Sequence, residues 1–183
     1  MDLDGNSFEV IEDFLPKQTF VDLSQRISSS DFPWFWGDAV ADPKDTKNFY
    51  FTHTFYSDSS IKSAAFNSVL MPLLNSLPNG DLYRVKANLF VRQNDKLTHG
   101  KHVDLENAPP NFHTAIYYVN SNNGGTLIED KHFIKSEANK VLIMKKNLPH
   151  QSVGPTDEKR RIVINVNYII NELPAPGGTT VLD

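Results

Sequence analysis

Between Leu82 and Arg92 apolar and polar residues alternate, with Tyr83, Val85, Ala87, Leu89 and Val91 on one face and Arg84, Lys86, Asn88, Phe90 and Arg92 on the other. A period of two is the signature of a half-buried strand. From here to residue 170 the pattern predicts only strands, at 112–119, 125–130, 139–145 and 161–170, separated by turn-like segments such as Asn120–Asn123. Before Leu82 the period is mostly helical. Phe8–Ile11 reads as a short strand, and Pro16 opens a helix over Lys17–Ser28 with Phe20, Leu23 and Ile27 on one side. Asn48–Tyr56 reads as a strand containing a packed His53. A second helical region covers Ile61–Leu77, with Pro72 kinking or restarting it. Asp31–Gly37 is an aromatic-rich loop whose rings are expected to fill the core, and Ala41–Lys47 is a polar loop. Helices first and strands afterwards predict an α+β chain or a helix-buttressed β-sandwich.

The length, 183 residues with 39% apolar, suits one core rather than two. We expect a single domain over 1–173 and a loosely ordered tail over 174–183. A net charge of −4 gives no basic field, so nucleic acid is not indicated as a partner. No apolar run approaches the ~20 residues of a membrane span, and the polar first residues are unlike a signal peptide, so a cytoplasmic protein is expected, in the host cytoplasm if viral. Cysteine is absent, so a metal would have to be held by histidine and carboxylate.

His102-Val103-Asp104 offers such a pair. Two residues apart in a strand, both side chains point to one side. With His150 as the candidate third ligand, two imidazoles and a carboxylate would bind a divalent ion on one face and leave positions open. The triplet alone is a weak signal, and a half-exposed His beside a solvated Asp is its plain alternative. The last strand adds a second feature. Arg161, Val163, Asn165 and Asn167 share one face, while Ile162, Ile164, Val166, Tyr168 and Ile170 share the other. Arg161 and the asparagines therefore face either solvent or a polar cavity together, with Arg160 on the apolar side. Of the remaining histidines, His99 reads as a solvated loop residue, His113 as facing away from the Thr114–Tyr118 face, and His132 as surface.

These segments together resemble the 2-oxoglutarate- and Fe(II)-dependent dioxygenase superfamily in its prolyl-4-hydroxylase-like branch. His102-Val103-Asp104 matches its H-x-D, Thr114–Asn120 its following strand, and Gly124-Gly125-Thr126 its next turn. Lys140–Met144 followed by His150 resembles the segment that delivers the distal ligand, with Arg161 at the usual distance beyond. The resemblance covers about 82–170; more loosely, the N-terminal half looks like small members from marine viruses and bacteria. Two positions depart from the pattern: Val163 stands where Ser is frequent, and Asn139 where a Gly commonly precedes the strand.

The resemblance implies a double-stranded β-helix (jelly roll) with N-terminal helices packed on its major sheet. It implies Fe(II) on His102, Asp104 and His150, with no catalytic side chain beyond these ligands. It implies 2-oxoglutarate as cosubstrate and dioxygen as oxidant. The far carboxylate of 2-oxoglutarate would meet Arg161, helped by Tyr118 and Asn165, with Asn88 a weaker candidate. The reaction would release succinate and CO2 while hydroxylating a second, unidentified substrate, peptidyl proline among the possibilities. Loops 32–37, 93–101 and 105–112 would form its rim. The alternative is a cupin-like jelly roll that binds metal without oxygenase activity.

Overall fold

The structure is a computed structural model and describes residues 7–40 and 48–171. Its elements are β1 (Phe8–Ile11), α1 (Lys17–Ser28), β2 (Phe35–Gly37), β3 (Tyr50–Ser57), β4 (Ser60–Ile61), a π-helical turn (Phe66–Leu70), α2 (Met71–Ser76), β5 (Gly80–Val91), β6 (Phe112–Tyr118), β7 (Gly125–Ile128), β8 (His132–Lys135), β9 (Lys140–Met144), β10 (His150–Val153) and β11 (Arg160–Ile170). The larger sheet runs β1-β9-β6-β11-β5-β3-β2, with β4 beside β3; the smaller runs β10-β7-β8. All pairings are antiparallel. This is the jelly roll that the resemblance implies, and it falls within the helix-buttressed β-sandwich expected from the strand pattern.

The alternation along β5 and β11 divides the interior into two layers. Val85, Ala87, Leu89, Ile162, Ile164 and Val166 meet Leu23, Ile27, Val69, Leu70 and Leu73 of the helices in one cluster. Each Val, Leu or Ile among them contributes roughly 1.5–3 kcal/mol of burial. The opposite face of the same sheet meets the smaller sheet through Phe90, Ile116, Tyr118, Ile128, Leu142 and Leu148. Asn139 locks the first helix to this frame. Its φ of 63° lies in the left-handed region that glycine and asparagine tolerate best, which explains its place where the related pattern has Gly. Its side chain accepts from the Leu15 N–H (2.9 Å) and the Tyr117 hydroxyl (2.9 Å) and donates to the Leu15 carbonyl (2.8 Å).

Several expectations are corrected. The second helical region begins only at Phe66, because Asp58 and Ser59, both at positive φ, fold β3 and β4 into a two-residue hairpin that takes Ile61. Pro72 does restart the helix, standing in the first turn of α2. The strand expected to 130 stops at Ile128, where Glu129 and Asp130 turn at positive φ into β8. Neither β8 nor β10 was expected. Phe35 and Trp36 form β2 and are 59% and 57% exposed rather than core; Phe32 is buried as expected. His99 is buried against Phe90 (5.3 Å between rings), not solvated. His53 is packed between Phe32 and Phe55, bonded to the Pro33 carbonyl and Ser63. His113 lies beside Tyr168 on the helix side of β11, and His132 is exposed. The loop expected at 41–47 and the tail at 174–183 lie outside the described residues. Among the described residues no helix is long and apolar enough to cross a membrane.

Candidate metal and anion-binding site

Segment 98–102 runs beside β10, bridged at Thr98–Val153 and His102–His150. The second bridge is a reciprocal backbone pair: His102 N–H donates to the His150 carbonyl (3.0 Å), and His150 N–H to that of His102 (2.9 Å). Residues directly opposite in an antiparallel pair hold their side chains together, and the two imidazole centroids are 4.5 Å apart. Each Nδ1 lies against a backbone carbonyl, His102 on Gly100 (3.2 Å) and His150 on Leu148 (2.9 Å). A carbonyl only accepts, so Nδ1 carries the proton and Nε2 a lone pair. Both Nε2 atoms face Asp104, each 4.0 Å from one of its oxygens.

Asp104 reaches this point by a bend, not by strand periodicity. Its N–H and that of Leu105 donate to the Asn147 side-chain oxygen (3.1 and 3.4 Å), and the Asn147 amide returns to the Leu105 carbonyl. Its carboxylate accepts from the Thr114 hydroxyl (2.7 Å) and the Asn167 amide (3.0 Å), with Arg84 Nη2 at 3.5 Å. Arg84 also donates twice to the Asn167 side-chain oxygen Oδ1. Burial pushes the Asp104 pKa up, but His150, Thr114, Arg84 and His102 together outweigh it and hold the carboxylate below its usual range. Burial, reinforced by His150, holds His102 below the ordinary imidazole value. The donor atoms of His102, Asp104 and His150 all lie within 4.8 Å of one another. Two neutral imidazole nitrogens and an ionised carboxylate, supported by hydrogen bonds behind them, fit a borderline divalent cation.

These three side chains stand at one end of a cavity of about 360 Å³ between the sheets. At the other end lies Arg161, 1% exposed. It donates to the Ser152 hydroxyl (2.8 Å) and the Thr126 hydroxyl (3.3 Å), while its Nε has no partner. Among the described residues no carboxylate is within ion-pair reach of it. Its guanidinium carbon lies 5.3 and 5.6 Å from the ring centres of Phe90 and Tyr118. Burial pulls its pKa down to about 10, which leaves it charged near neutrality.

The structure thus brings His102, Asp104 and His150 together and places Arg161, Asn165 and Asn88 on the cavity wall. Tyr118 does not line the cavity; it lies behind Thr126 and donates to its hydroxyl (2.9 Å). Arg160 is exposed and donates to the Ser28 carbonyl. Sequence reasoning missed Ser152, Thr126, Thr114, Arg84 and Lys86 as site residues. Ser152 follows His150 by two, the same-face spacing, and reading 150–153 as a strand would have found it.

No protein-family model and no curated protein matches the chain by sequence. In three dimensions it is similar to an oxidoreductase of the 2OG-Fe(II) oxygenase family from Burkholderia pseudomallei, with a TM-score of 0.65 and 10% identity over 88% of this chain and 85% of that one. It is also similar to a prolyl hydroxylase from Trichoplax adhaerens solved with a hypoxia-inducible-factor peptide fragment (TM-score 0.60, 15% identity, 91% and 86% covered). A third is the non-heme alpha ketoglutarate dependent epimerase SnoN of nogalamycin biosynthesis (0.60, 11%, 94% and 87%). The chain has the jelly-roll fold of 2OG-Fe(II) oxygenases.

Proposed function

We propose that this protein is an Fe(II)- and 2-oxoglutarate-dependent dioxygenase that couples oxidative decarboxylation of 2-oxoglutarate to succinate with hydroxylation of a second substrate. The observation that carries this reading is Arg161. A buried cation without a counter-ion is expensive, several kcal/mol even after relaxation. It stands across a cavity from two imidazole lone pairs and a carboxylate. A small dicarboxylate with one end on the guanidinium and the other toward a metal answers both features at once.

In this reading His102, Asp104 and His150 hold Fe(II), which supplies the redox chemistry with dioxygen. Arg161 binds the far carboxylate of 2-oxoglutarate through its planar fork. Thr126 already accepts from Arg161 and Tyr118, so its own proton is free to be donated into the cavity. Phe90 and Tyr118 keep water from the guanidinium and strengthen the pairing. The carbonyls of Gly100 and Leu148 keep both imidazoles in the ligating tautomer.

The test is an anaerobic titration with Fe(II) and 2-oxoglutarate, followed by the visible charge-transfer band of the chelate. Wild type should develop the band, and Arg161→Ala should need roughly 100-fold more 2-oxoglutarate. Iron binding without any band would refute the dioxygenase and leave a metal-binding jelly roll.

A further inference from the structure

The cavity wall carries more positive charge than this reaction uses. Arg84, Lys86 and Arg161 line it against a single carboxylate, Asp104. A divalent ion and the dianionic cosubstrate cancel each other, so two positive charges remain in a chain whose net charge is −4. Arg84 is engaged by Asp104 and Asn167, and Arg161 by the proposed cosubstrate. Lys86 is left. Its ammonium meets only the Tyr50 hydroxyl (3.4 Å) and the face of that ring (5.5 Å), and no acidic side chain pairs with it among the described residues.

Its position is informative. Lys86 is directly opposite Asn165 on β11, whereas Arg161 is opposite Phe90. Four residues along the strands, about 13 Å of backbone, separate the two positions. The Lys86 backbone therefore stands toward the metal end, one same-face step from Arg84, while its ammonium reaches Tyr50, whose ring stacks on Phe90 (5.9 Å). Asn165 is nine-tenths buried on the same wall, and its side-chain oxygen has no partner. An ammonium beside an unfilled acceptor asks for two groups in one ligand.

Resting on the dioxygenase reading, we infer that the substrate to be hydroxylated is a small carboxylate, bound by Lys86 and Tyr50, with an N–H or O–H donor near its carboxylate for Asn165. One ammonium, one phenol and one amide suit a singly charged carboxylate. A peptidyl residue, which is neutral at its backbone, would leave Lys86 unpaired in the cavity.

The experiment uses the full chain loaded anaerobically with Fe(II) and 2-oxoglutarate, where binding is read without turnover. The probes are the N-acetyl derivatives of the proteinogenic amino acids and the short aliphatic acids, each paired with its primary amide; N-acetylprolinamide stands for peptidyl proline. Thermal upshift and change in the chelate band report binding, and succinate release in air reports coupling. At least one acid should bind about tenfold or more tightly than its amide. That ratio should collapse toward one in Lys86→Met and favour amides or amines in Lys86→Glu. Equal binding of acid and amide, binding of amides alone, or no acid bound overturns the inference while leaving a normal chelate band. A Lys86 variant that shifts the 2-oxoglutarate titration but keeps the acid-to-amide ratio also overturns it, by assigning Lys86 to the cosubstrate. Absence of the band in wild type fails the dioxygenase reading, and the inference with it.

Discussion

The two faces of the larger sheet are made by alternate residues of the same strands, and on its two longest strands, β5 and β11, their contents differ sharply. Toward the helices β11 presents Ile162, Ile164, Val166 and Tyr168; toward the smaller sheet it presents Arg161, Val163, Asn165 and Asn167. β5 repeats the division with Val85, Ala87 and Leu89 against Arg84, Lys86 and Asn88. The helix face supplies burial energy. The cavity face adds to an apolar cluster of its own cations and amides whose enclosure works against stability. One residue of register separates the two roles, so a slip would place the charges under the helices and the isoleucines around the candidate metal site.

The largest effect should come from importing cavity chemistry to the helix face. Ile164→Asn loses a fully buried side chain and places an unpaired amide in the core, at about 4 kcal/mol. Asn165→Leu, one residue away, removes an amide whose oxygen has no partner and should change urea stability by less than about 1 kcal/mol. Comparable losses in the two variants would sink the division of labour. Next comes Arg161→Met. Removing a buried, uncompensated cation should raise stability by about 1–3 kcal/mol while 2-oxoglutarate binding is lost. A drop in stability as large as that of Ile164→Asn would make Arg161 a structural residue.

The same division explains what could be read from the chain. Long strands with an apolar face, β5 and β11, are visible because burial on one side enforces a period of two over many residues. α1 is visible because Leu23 and Ile27 are one turn apart behind Pro16. Short strands are visible only in part: β1 and β7, four residues each, were expected, and three others were not. β2, β8 and β10 have three or four residues, and β8 has none buried, so alternation has no length in which to appear. The His102, Asp104 and His150 group is legible as a motif, but for a reason only half right: Asp104 is aimed by the Asn147-held bend and not by strand spacing. Thr114, Thr126 and Ser152 escaped because a hydroxyl in a strand carries no signal until its neighbour across the sheet is known.

One titratable group on the helix face gives a smaller effect. His53 is held below the ordinary imidazole value mainly by burial, partly offset by the Pro33 carbonyl. Its folded pKa is depressed, so below about pH 6.5 the unfolded chain binds a proton that the native state does not. Stability should therefore be full above that pH and fall as pH drops toward the folded value. His53→Gln should show a shallower loss between pH 7.5 and 5.5 in urea melts of metal-free protein. An unchanged slope would remove His53 from the acid response.

The smallest effect distinguishes contact from support on the cavity side. Tyr118 is fully buried, its ring lies beside Arg161, and its hydroxyl ends on Thr126 rather than in the cavity. Tyr118→Phe keeps the ring and removes one donor, so Thr126 is oriented by Arg161 alone. The loss should be near 1 kcal/mol, or about fivefold weaker 2-oxoglutarate in the chelate titration. Thr126→Val removes the hydroxyl that lines the cavity and should weaken binding more than Tyr118→Phe does. If Tyr118→Phe instead weakened binding as much as Arg161→Ala, the phenol would have to touch the cosubstrate directly, and Thr126 would no longer be the link between them.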